Sequence, residues 1–117
     1  MVILMYDVTR RETLFRLVRW LQDITGIVHP SCVLVLVGNK VDLQHRRQIS
    51  TDEGRHFAKQ HGLSLFVETS AKQDLQVDYL FQTLADLALC AGVLDQAQPQ
   101  LVLHEPCPRT DYRCPCL

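Results

Sequence analysis

Val33-Leu34-Val35-Leu36-Val37-Gly38-Asn39-Lys40-Val41-Asp42 is the stretch whose reading decides the fold. A strand with one wet face alternates apolar and polar residues. The unbroken apolar run from Val33 to Val37 instead reads as a strand covered on both faces, as in a parallel sheet. Gly38 closes the run, so Asn39, Lys40 and Asp42 fall just past the strand's carboxyl end, where open α/β sheets hold their ligands.

Working outward, Val2 to Tyr6 is a second apolar run, closed by Asp7. Thr9 and Glu12 have the spacing of a capping box, and Leu14, Leu17, Val18, Leu21 and Ile24 follow at helical period. Gly26 and Pro30 break that helix before the central strand, expected over Cys32 to Val37. Beyond Asp42, Gln44 to Gln48 reads as a polar, basic connector, with Arg46 and Arg47 in a solvated turn. Ser50 and Glu53 form a second capping box for a helix that turns Phe57 and Ala58 inward and stops at His61-Gly62. Leu63 to Val67 is the third strand. The last helix starts at Val77, with Leu80, Phe81, Leu84, Leu87, Ala88 and Ala91 on its apolar side and Gly92 at its end. The order β-α-β-α-β-α predicts a parallel α/β sheet with right-handed crossovers. From about Leu94 the period is lost, which divides the chain into a folded unit over 1–93 and a flexible tail over 94–117.

Of the 117 residues 47% are hydrophobic and 21% charged, the balance of a globular domain. The formal net charge of −1 gives no reason to expect nucleic acid as a partner. No apolar run is long enough to span a bilayer, and no cationic-then-apolar leader opens the chain. Cys32 and Cys90 lie beside apolar stretches, where buried thiols are usual, whereas Cys107, Cys114 and Cys116 crowd near the end. That distribution is not a disulfide framework and fits a cytoplasmic setting. The histidines of the body share no metal-ligand spacing.

Asn39, Lys40 and Asp42 suit a flat ring with a polar edge. A carboxylate accepts two parallel N–H bonds, an amide donates and accepts, and a lysine stem can lie along the ring. Guanine offers two adjacent donors at N1 and N2; adenine does not. The tetrapeptide resembles the NKxD guanine-specificity motif of GTP-binding proteins. A second strand-to-loop stretch, Phe66-Val67-Glu68-Thr69-Ser70-Ala71-Lys72, resembles the SAK loop of the same proteins. There the resemblance implies that the Ala71 amide donates to the guanine O6, that Lys72 packs near the base and that Ser70 braces Asp42. Tyr6-Asp7-Val8-Thr9, then Thr13, Leu14, Leu17 and Trp20, is similar to the Rab branch of the Ras-like small GTPases, with Leu14 where phenylalanine is usual. Glu53-Gly54, Phe57-Ala58, Val77, Phe81 and Leu84-Ala85 continue the likeness, which covers roughly residues 2 to 92.

The resemblance implies a three-layer, P-loop NTPase-type (Ras-like) G domain, of which this chain holds the carboxyl-terminal half. The family's G-x-x-x-x-G-K-S/T loop, its first-switch threonine and its Asp-x-x-Gly turn have no counterparts here. Those parts, with Mg²⁺, carry phosphoryl transfer. GTP or GDP is therefore the implied ligand, without assigned Mg²⁺ ligands or catalytic residues, and hydrolysis by this chain is left open. The implied role is a switch in vesicle and membrane traffic, with escort, exchange and effector proteins as partners. The alternative is a non-enzymatic interaction module for such proteins. A receiver-type doubly wound protein would need an acidic cluster at the strand ends, and Asp7 alone does not make one.

Cys114-Pro115-Cys116-Leu117 resembles the paired-cysteine ends that carry prenyl groups in Rab proteins, although Leu117 follows the pair. It also places Cys114 fourth from the end, as in the C-a-a-X form, with Pro115 and Cys116 poor matches to its aliphatic positions. Lipid on Cys114 and Cys116 would place the protein peripherally on intracellular membranes. Metal binding by His104, Cys107, Cys114 and Cys116 and an unmodified tail are the other readings.

Overall fold

The computed structural model describes residues 1–30 and 32–90. The elements run β1 (Val2–Asp7), α1 (Arg11–Thr25), β2 (Leu34–Asn39), a short 3-10 turn (Gln44–Arg46), α2 (Thr51–Gln60), β3 (Leu65–Glu68) and α3 (Val77–Cys90). The three strands form one parallel sheet in the order β1-β2-β3. Tyr6 pairs with Gly38 and Asp7 with Asn39, while Gly38 pairs with Glu68. This register brings the three carboxyl ends level, so the loops that follow them meet.

Because strand side chains alternate between faces, the sheet has two cores. On one face Leu4, Tyr6 and Leu36 pack with Leu14, Leu17 and Leu21 of α1 and Ala58 of α2. On the other, Val35, Val37 and Val67 pack with Leu80 and Leu84 of α3. The α/β layering expected from the sequence is therefore present, with β2 covered on both sides: Val35, Leu36 and Val37 are fully buried. Burying a leucine such as Leu36 stabilises the fold by roughly 1.5–3 kcal/mol.

The second capping box forms as read. Ser50 Oγ accepts from the Glu53 amide at 3.2 Å, and the Glu53 carboxylate accepts from the Ser50 amide at 2.8 Å. The Ser50 amide and then the Arg11 guanidinium hold the Glu53 carboxyl below its ordinary value. At the other end of α2, Gly62 takes φ +65°. Its amide donates to the Lys59 carbonyl and that of Leu63 to the Ala58 carbonyl, a Schellman close that only glycine enters without strain.

The first capping box does not form. Helix α1 begins one residue later, after Arg10, and no side chain of its own caps it. Both the amide and the hydroxyl of Thr9 donate instead to Asp7 Oδ1, at 2.9 and 2.7 Å. The helix start is satisfied from a distance: Gln48 Oε1 accepts from the Arg11 amide at 3.1 Å.

Three further expectations are corrected. Phe81 is 60% exposed, because α3 sits over β2 and β3 with Leu80 and Leu84 turned inward and no described element covers Phe81. Cys90 is exposed and Cys32 only partly buried. Arg47 is not solvated: it makes two bonds to the Glu68 carboxylate, at 2.7 and 3.2 Å, and a third to the Ile49 carbonyl. Glu68 thereby holds the Arg47 guanidinium above its already high ordinary value. Gly92, the 93/94 domain boundary and the tail with Cys114 and Cys116 lie outside the described residues. Among the described residues, no helix is long and apolar enough to cross a membrane.

Candidate functional site

The carboxyl ends of β1, β2 and β3 bring Asp7, Asn39–Asp42 and Thr69–Lys72 together. Backbone bonds fix the two loops to each other: the Thr69 amide donates to the Gly38 carbonyl at 2.8 Å and the Val41 amide to the Thr69 carbonyl at 3.2 Å. Side chains add to this. Asn39 Oδ1 accepts from the Lys40 amide at 2.8 Å, the Ala71 amide at 3.2 Å and the Thr69 hydroxyl at 3.4 Å. Ser70, fully buried, donates its hydroxyl to Asp42 Oδ1 at 2.6 Å and accepts the Gln73 amide at 3.2 Å. A bridge between Ser70 and Leu75 closes the second loop. Contacts of this kind, between residues about thirty positions apart, make a rigid platform.

Lys40 adopts φ +70°, a left-handed conformation that a non-glycine residue holds only where its surroundings impose it. Its ammonium pairs with Asp7 Oδ2 at 2.5 Å. Burial pushes the Asp7 carboxyl up, but Lys40 and the two bonds from Thr9 outweigh it and hold the group below its ordinary value. Asp7 was not among the site residues expected from the sequence; its register opposite Asn39 is what places it there.

Asn39, Lys40, Asp42, Leu43, Ala71 and Lys72 line a hollow of about 290 Å³. That is the low end of ligand-pocket sizes, roughly 300–1,000 Å³, and suits a planar ring better than a whole nucleotide. All six residues singled out in the sequence are thus in one place: five line the hollow, and Ser70 lies behind Asp42. Among the described residues, Asp42 Oδ2 has no protein partner and the exposed Lys72 has no ion pair. The Ala71 amide, by contrast, is engaged by Asn39 and would have to change partner to reach a ligand. Thr69, Arg47 and Glu68 also shape the site, although the sequence did not mark them as site residues. Among the described residues no cluster of histidine, cysteine, aspartate and glutamate is arranged for a metal ion.

A parallel sheet whose strand ends present two interlocked polar loops around a ring-sized hollow is the arrangement in which open α/β proteins hold their ligands. The family model described as the Ras family matches residues 1–90. The chain belongs to the Ras family, the small GTPases that bind guanine nucleotides.

Proposed function

We propose that this chain reads the guanine base through Asn39, Lys40, Asp42, Ser70, Ala71 and Lys72, as the base-recognition part of a Rab-type switch in membrane traffic. The observation that carries the reading is Asp42. Ser70 pins one oxygen of its carboxylate, leaving the other without a partner among the described residues beside the hollow. A carboxylate held this way accepts the N1 and N2 donors of guanine, whereas adenine would leave it facing no donor. The Lys40 stem lies along the ring while Asp7 keeps its ammonium. The Ala71 amide moves from Asn39 to the base O6, and Lys72 packs at the ring's edge.

The residues fit the base; they supply no phosphate loop and no ligand set for Mg²⁺, so no step of phosphoryl transfer is assigned to them. The Rab assignment is supported by Tyr6-Asp7-Val8-Thr9, Thr13 and Trp20. With it come escort, exchange and effector proteins as partners, and residence on intracellular membranes through lipid on Cys114 and Cys116.

NMR titration of the full chain with GDP and with ADP tests the base reading. Affinity for GDP is expected on the order of millimolar or weaker, because base contacts alone offset the entropy of binding. Shifts should centre on Asp42 and Ala71, exceed those with ADP and lose that preference in Asp42→Asn. Equal shifts with both nucleotides, or none near Asp42, would overturn it.

A further inference from the structure

Two lysines line the ring-sized hollow, and they are held very differently. An exposed lysine stem ordinarily samples many rotamers, and Lys72 has no ion pair among the described residues to prevent it. Lys40 is fixed at both ends. Its backbone stands in the left-handed region at φ +70°. There its amide donates to Asn39 Oδ1 at 2.8 Å and its carbonyl accepts from the Leu43 amide at 3.0 Å. Its ammonium ends on Asp7 Oδ2, 33 positions away in the chain. The side chain is therefore anchored although it is 52% exposed.

Asp7 is itself held from several directions. Its Oδ1 accepts the amide and the hydroxyl of Thr9, at 2.9 and 2.7 Å. Its own amide donates to the Thr13 hydroxyl of α1 at 3.0 Å, and its carbonyl accepts from the Arg10 amide at 3.0 Å. The neighbouring Val8 amide donates to the Asn39 carbonyl at 3.1 Å. The Asp7 side chain is only 13% exposed and does not line the hollow. Its route to a ligand there runs through Lys40.

We propose that Asp7 is a positioning residue for the ring: by fixing the Lys40 ammonium it lays the lysine stem along one face of the hollow before a base enters. The inference rests on the base reading above. Ordering a long side chain in advance removes a cost that binding would otherwise bear. Because the stem covers a ring face and reads no edge, the gain is the same for guanine and for adenine. Asp42 selects the base; Asp7 tightens the hold on it.

Two measurements on the full chain test this. The first needs no ligand: NMR relaxation of the lysine side-chain carbons. Lys40 is expected to be more ordered than the exposed Lys59 and Lys72, and to fall to their level in Asp7→Asn. That variant keeps an oxygen for Thr9 and turns an N–H donor toward the ammonium. The second is titration with GDP and with ADP. Asp7→Asn should weaken both about fivefold and leave their ratio unchanged. Lys40→Met, which keeps a stem without its charge, should weaken both to the same extent, and adding Asp7→Asn to it should change nothing further. A purely structural Asp7 would lose the same factor in either background. A Lys40 as mobile as the other two lysines, additive losses in the double variant, or a changed ratio would each overturn the proposal. So would tighter GDP binding in Asp7→Asn, since the freed ammonium would then be serving a phosphate, and so would binding of neither nucleotide. Equal affinity of the parent for GDP and ADP, weakened alike by Asp7→Asn, would remove the base reading and support the role of Asp7. A GDP preference that Asp42→Asn abolishes, with affinity untouched by Asp7→Asn, would do the reverse.

Discussion

On one face of the sheet two helices bury Leu4, Tyr6, Leu36, Leu14, Leu17, Leu21 and Ala58 in a single cluster; on the other, α3 is the one described helix that covers Val35, Val37 and Val67. The consequence is visible in what stays wet. Ile3 and Met5, the β1 residues of the α3 face, are 39% and 52% exposed, whereas Leu4 and Tyr6 on the opposite face are 7% and 2%. One strand therefore carries a sealed side and an open side. Stability contributed by β1 should therefore be concentrated on the α1–α2 face, and its exposed positions Ile3 and Met5 should tolerate change.

The largest contrast lies between Leu36→Ala and Phe81→Ser. The first opens a cavity in the sealed cluster and should cost about 2–5 kcal/mol in urea unfolding. The second removes an exposed ring and should stay within about 0.5 kcal/mol. Comparable losses for the two would mean that the Phe81 ring is covered as Leu36 is.

A smaller effect sharpens how tight the sealed face is. Gly54 lies in α2, where alanine is normally the better helix former. A Cβ there would stand 2.3 Å from Tyr6 Oη and 2.7 Å from Phe66 Cζ, and one at Gly38 would stand 2.8 Å from the same hydroxyl. Gly54→Ala should therefore destabilise by about 1–3 kcal/mol despite its helix propensity. The Tyr6 hydroxyl is buried without a hydrogen-bond partner among the described residues, and burial pushes its pKa up. Tyr6→Phe should for that reason raise stability by about 1 kcal/mol and soften the Gly54→Ala penalty. Additive losses in the double-mutant cycle would show that the two do not compete for the same space.

The smallest effect belongs to the rim where the faces meet. The Asp7 carboxyl is held below its ordinary value, so it contributes stability above that value and loses it as pH falls through the lower, folded one. Lys40 is half exposed, which limits the contribution to about 1 kcal/mol or less. Asp7→Asn should flatten the acid limb of stability below about pH 4 and leave neutral-pH contrasts between the faces in place. An unchanged acid limb, read by circular dichroism across the same range, would remove Asp7 from the account.

What was legible in the sequence was local or periodic. Ser50 and Glu53 cap α2 as read because both partners lie within one turn and Arg11 takes the other oxygen of the Glu53 carboxylate. Thr9 and Glu12 had the same spacing, but Asp7 stands two residues upstream and captures Thr9, and the donor left over is met by Gln48. Strand β2 begins at Leu34 rather than Cys32, since pairing starts where Val2 supplies a neighbour, which hydropathy does not mark. Arg47 looked solvated because its partner Glu68 lies 21 positions away on another strand. The candidate site was legible as residue types in order. Its internal bonds were not, the engagement of Ala71 by Asn39 above all.

The Arg47–Glu68 pair has a mechanical consequence. Glu68 immediately precedes Thr69, and Arg47 ends the turn that follows Asp42, with the Thr51 hydroxyl bracing Glu68 at 3.0 Å. The segment from Asn39 to Ala71 is therefore fastened to itself at both ends of each loop, like a four-bar linkage with its hinges locked. A displacement of Asp42 is therefore passed to Ser70 through their shared hydrogen bond, and the Asn39–Ala71 bond is the link that exchanges when the Ala71 amide turns to a ligand.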